Sequence, residues 1–136
     1  DAVEYKSACY CGDAHMQDWQ QTLTNIEGFN ARAVVPGRGE ALTDPDMVRE
    51  AVTLTRGFLR DHFDPVAEAA MRQLPLQDAF NMCRDATEAK YGEFVIYQHC
   101  LPFNVARAYD EAIGIDTPRI WTAERDVQMW EALQGS

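Results

Sequence analysis

No run of apolar residues in this chain approaches the ~18 needed to cross a bilayer, which argues against a membrane protein. Positive charge is also scarce: 12 Lys and Arg stand against 22 Asp and Glu, a net charge of −10. Nucleic-acid phosphate needs clustered Lys and Arg, so no nucleic-acid partner is expected. The surplus acid reads as a solvated surface, which favours solubility and says little about fold. There is no internal repeat and no low-complexity linker. Only four cysteines occur, Cys9, Cys11, Cys83 and Cys100. At 136 residues with 46% hydrophobic content a core forms without disulfides. Cys83 and Cys100 fall inside helical apolar patterns, where a free thiol behaves as a small hydrophobe. A reducing, cytoplasmic setting is the expectation. The first residue is Asp1, with neither an initiator Met nor a leader. The chain is therefore expected to be a piece of a longer one.

What is present is mostly helical periodicity. Residues 1–14 carry no helical period and read as an extended piece running into a loop. Met16, Trp19, Leu23 and Ile26 mark a first helix, with Asp13 as its candidate cap and Gly28 near its end. Residues 31–35 read as a short strand. Asp44-Pro45 then gives a cap followed by proline at the first helical position, and Val48, Val52, Thr55, Leu59 and Phe63 recur at helical spacing. Asp64-Pro65 repeats that signal and predicts a break or a sharp kink. Further segments run to Leu74, from Pro75 to about Gly92, and from Tyr97 to Gly114. Pro102 moves the start of the last of these toward Leu101. A final helix after Thr122 groups Val127, Trp130 and Leu133.

Between the first helix and the Asp44 cap lies Val34-Val35-Pro36-Gly37-Arg38-Gly39. Its β-branched residues are broken at once by Pro and paired glycines, a layout that delivers one side chain to the end of a strand. The segment resembles the Val-Pro-Gly-His-Gly turn of metallo-β-lactamase-fold hydrolases, with Arg38 in place of the metal-binding His. In that family a strand ends in Gly-Asp, whose Asp bridges two metal ions. A pocket-lining loop, a helix and the strand carrying the turn follow. Asp1, the loop through Gly12-Asp13-Ala14-His15, the helix from Met16 and the turn at 34–39 match that order over residues 1 to about 60. The family's upstream His-x-His-x-Asp-His motif is absent from this sequence.

The resemblance implies an α+β fold, predominantly α. Residues 1–42 would be short strands and a helix from the second half of a metallo-β-lactamase core. Residues 43–136 would be a helical extension of about five segments, packed on it as one structural unit. It further implies a C-terminal fragment of a metal-dependent hydrolase, inactive alone. In the complete protein, zinc or another divalent metal would generate a hydroxide that attacks an ester, thioester, lactam or similar bond of a small-molecule substrate. Asp1 would hold metal. Arg38 would contact substrate or replace the charge of a second metal, since a guanidinium has no lone pair to donate. Lys6, Ser7, Cys9, Tyr10 and Cys11 would shape the pocket wall. Pairing of Arg38 with a local acid such as Glu40 or Asp44 is the structural alternative.

Two rival readings stand beside this one. The first is a non-catalytic helical interaction module that builds a homodimer. The second is a small Cys/His metal-binding domain based on Cys9-x-Cys11 and His15, for which no fourth ligand is evident. His62 and His99 read as packing residues. Adjacent residues on a helix point about 100° apart, so His99 and Cys100 form no dyad. A lone strand must pair, so the extended piece at the start, a second copy of the chain or a missing N-terminal half is expected as partner. Val34 and Val35 are expected to be buried.

Overall fold

The fold, a computed structural model, describes residues 1–134. Five α-helices succeed one another: α1 (Met16–Gly28), α2 (Pro45–Met71), α3 (Leu76–Tyr91), α4 (Tyr97–Ala112) and α5 (Ala123–Gln134). Helix α2 packs against α1, α3 and α4, while α3 also meets α4 and α5. Phe58, Leu59 and Val66 of α2 share one core with Cys83 of α3 and Val105 of α4.

Helix α2 starts as its sequence requires, with the Asp44 carboxylate accepting from the Asp46 N–H at 2.7 Å and Pro45 in the first turn. The break expected at Pro65 does not occur, and the helix runs 27 residues through it. An interior proline costs about 3 kcal/mol. Burial of Phe58, Leu59, Val66 and Ala69 on either side offsets that, at about 1.5–3 kcal/mol for each large apolar side chain. Helix α4 likewise begins a turn earlier than Leu101, at Tyr97, with Pro102 buried inside it. The missing N–H there leaves only the carbonyl of Gln98, an exposed residue, without its helical partner. Four helices therefore follow residue 43, where about five segments were expected, because α2 absorbs two.

The α+β expectation is overturned. Among the described residues the elements are all helical, and extended pairing is limited to two isolated bridges, Ser7 with Val95 and Val34 with Leu42. Residues 31–35 form no strand. Val34 exchanges both backbone bonds with Leu42 at 2.8 Å, so the segment folds back on its own turn. Val34 is half-buried, but Val35 is 84% exposed, against expectation. The extended residues 1–14 enter no sheet; besides backbone bonds to Gly37, Arg38 and Val95, side chains of α2 and α4 satisfy them. The Thr55 hydroxyl accepts from the Glu4 N–H and donates to the Glu4 carbonyl, each at 3.1 Å. Asn104 accepts from the Cys11 N–H at 2.7 Å and donates to the Cys9 carbonyl at 2.9 Å. Buried backbone groups must find partners, and here polar residues on helices supply them.

The cap of α1 differs in the same way. Asp13 does not reach it. Glu111 of α4 accepts from the Met16 and Gln17 N–H groups at 2.9 and 3.0 Å.

Candidate functional site

Two sequence-distant segments meet at the glycine turn. The Gly37 N–H donates to the Val3 carbonyl at 3.0 Å and the Tyr5 N–H to the Arg38 carbonyl at 3.2 Å, so residues 3–5 and 37–38 advance side by side. A Cβ on Gly37 would overlap the Asp1 carboxylate and lie 2.6 Å from its Cα. Glycine is therefore required for Asp1 to lie on the turn. Gly39 has φ of +107°, and a Cβ there would meet the Tyr5 carbonyl at 2.5 Å. The indole N–H of Trp19 holds the Ala2 carbonyl at 2.9 Å, which ties the segment to α1.

Arg38 meets an acid, but neither Glu40 nor Asp44. Its Nη1 lies 3.0 Å from Oε1 of Glu4, whose side chain is 2% exposed while that of Arg38 is 40% exposed. Burial pushes the Glu4 carboxyl above its usual range, and Arg38 opposes the shift. Oε2 of Glu4 is buried with no partner. One side of the guanidinium is thus fixed by a buried carboxylate and the rest is open to solvent beside the Asp1 turn.

Of the remaining candidates, Cys9 lies near the Arg38–Glu4 pair and the others lie elsewhere. Ser7 is buried, its hydroxyl donating to the Val95 carbonyl at 3.3 Å. Lys6, at φ 54°, lines a cleft with Leu54, Tyr91 and Phe94. Tyr10 packs against Phe103 at 5.8 Å between ring centroids, and Phe103 meets Trp121 edge-on at 4.9 Å. Cys9 and Cys11 are buried and free, and burial pushes both thiols up, so they stay protonated. A protonated thiol is a poor metal ligand. Among the described residues no group of three or more His, Cys, Asp and Glu side chains could hold a metal ion. The fold lays Asp1 on the turn that carries Arg38, with Cys9 near the Arg38–Glu4 pair.

His62 is buried with its ring 3.8 Å from that of Phe58, its Nδ1 2.8 Å from the Phe58 carbonyl and its Nε2 without a partner. His99 is exposed, near Phe103, while Cys100 beside it is buried.

Sequence reasoning missed Glu4, and it missed Arg107, which is fully buried. Arg107 donates to the carbonyls of Ala14, Ile115 and Asp116 at 2.5–2.7 Å and lies 3.4 Å from Glu111. A signal existed: Asn104, Arg107 and Glu111 lie three and four residues apart and so share one face of α4. No protein-family model matches the sequence, and no curated protein matches it.

Proposed function

We propose that this chain is part of a metal-dependent hydrolase similar to the metallo-β-lactamase-fold enzymes, contributing one metal-ligating carboxylate, Asp1, and one substrate-facing cation, Arg38. One observation supports it above the others: Asp1 lies on Gly37, so two motifs 36 residues apart in sequence occupy one place. A single carboxylate is too small a donor set for a divalent ion. The further ligands would come from outside the described residues. What the chain itself supplies is orientation: Glu4 holds one edge of the Arg38 guanidinium, leaving the other to a substrate carboxylate or phosphate. A cytoplasmic location belongs to the same reading and is supported by four free cysteines. No helix among the described residues is long and apolar enough to cross a membrane.

The test uses the product of the gene's complete reading frame. After dialysis it is expected to retain zinc or another divalent metal, to hydrolyse a small ester, thioester or lactam, and to lose most metal on Asp1→Ala. Metal content unchanged by Asp1→Ala would remove Asp1 from the site and the hydrolase reading with it.

A second reading, a helical module that pairs with another copy, is favoured by apolar side chains near the C-terminus. Ile113 is 54% exposed, Ile120 82%, Val127 55% and Trp130 46%. Val127 and Trp130 lie one turn apart on α5.

A further inference from the structure

Ten of the 12 Lys and Arg side chains lie within ion-pair distance of a carboxylate. Among the described residues only Lys6 and Arg32 do not. In a chain with 22 acids, a cation left without one is informative. Lys6 shares its cleft with Glu50 and Glu93, so acid already surrounds it. Arg32 does not share that situation. It lines a cleft of about 280 Å³ between the end of α1 and the start of α2, where the other charges are already satisfied. Glu27 is held by Arg56 at 2.6 Å and Arg49 is paired with Asp46.

The floor of this cleft is apolar. Ile26, Val48 and Val52 form it, with Ala31 and Pro45 as walls. Val48 and Val52 are buried, so the floor is fixed core rather than mobile surface. An apolar recess with one uncompensated guanidinium at its rim suits a ligand with an apolar body and a single negative end.

We infer that the cleft between α1 and α2 binds a small amphipathic carboxylate, its chain on Ile26, Val48 and Val52 and its carboxylate on Arg32. The cleft, about 280 Å³, has room for a short alkyl chain. Octanoate is the matching probe. The inference rests on the pairing of charges and the cleft alone, and stands apart from the hydrolase reading.

The experiment is a methyl-resolved NMR titration of the 136-residue chain with octanoate, 1-octanol and acetate. Octanoate is expected to shift the Ile26, Val48 and Val52 methyls saturably below millimolar concentration. Octanol, lacking the charge, and acetate, lacking the chain, are each expected to bind at least ~10-fold more weakly. Arg32→Gln, a change at an exposed position, is expected to weaken octanoate ~10-fold while leaving the spectrum folded. Equal affinity for octanol and octanoate, no effect of Arg32→Gln, or shifts on other methyls only would each overturn the inference. Shifts at these methyls that follow protein concentration without octanoate would give the cleft to a second copy and overturn it as well.

Discussion

At the scale of single residues, the buried charges set the clearest expectations. Arg107→Met removes a guanidinium that satisfies three carbonyls and faces Glu111. Breaking a buried pair costs about 3–5 kcal/mol, and a urea midpoint is expected to fall accordingly. Arg38→Ala acts differently because half of its partner pair is open to water. It leaves Glu4 buried without a cation and is expected to cost about 1–3 kcal/mol. Glu4→Gln in the same background is expected to restore most of that, a coupling that a double-mutant cycle measures. If Arg38 also binds substrate, the complete enzyme carrying both changes loses kcat/KM by ~10-fold although its stability is recovered. His62 gives a pH dependence. Burial lowers it from the ordinary 6.5 to about 4. The folded state therefore holds it neutral while the unfolded chain takes up a proton. The stability it contributes is complete above about pH 6.5 and is lost as pH falls toward 4, in total about 3 kcal/mol. His62→Phe is expected to flatten unfolding free energy between pH 7 and 4.5 by about 2–3 kcal/mol, read from urea titrations at the two pH values.

At the scale of elements, helix ends carry what periodicity leaves open. Helix α2 ends in a two-bond cap, with Leu74 N–H to the Ala69 carbonyl at 3.0 Å and Gln73 N–H to the Ala70 carbonyl at 2.9 Å. That cap places Gln73 at φ 56°, where a side chain is disfavoured and glycine is at ease. Gln73→Gly is expected to raise stability by about 1 kcal/mol, seen as a higher thermal midpoint. Helix α5 contrasts with the others. It packs against α3, and Met129 is its one buried residue among those described. Few buried contacts mean a low local opening energy. Amide exchange in α5 is expected to run well ahead of exchange in α2 and α4.

At the scale of the whole molecule, exposed apolar groups decide association. Ile120, Val127 and Trp130 place apolar area in water that a partner would cover. If the chain pairs with itself, light scattering at tens of micromolar is expected to report a dimer, and Val127→Glu with Trp130→Glu a monomer. A monomer in both cases would end the dimer reading.

The sequence by itself determined the helices. Apolar spacing located all five, and Asp44-Pro45 fixed the start of α2, because a cap and an amphipathic face are local properties. It also marked the glycine turn and the acidic balance. Whether the extended residues enter a sheet was a tertiary decision: Thr55, Asn104 and Arg107 lie far along the chain yet satisfy its backbone. The helices run through Pro65 and Pro102 for the same reason, since the local cost of each proline is set against burial that only the packed helices supply. The choice of Glu4 over Glu40 or Asp44 as the acid for Arg38, and the absence of an acid for Arg32 among the described residues, follow from which surfaces the fold brings within reach. Charge partners are distances in space, and composition sets only their number.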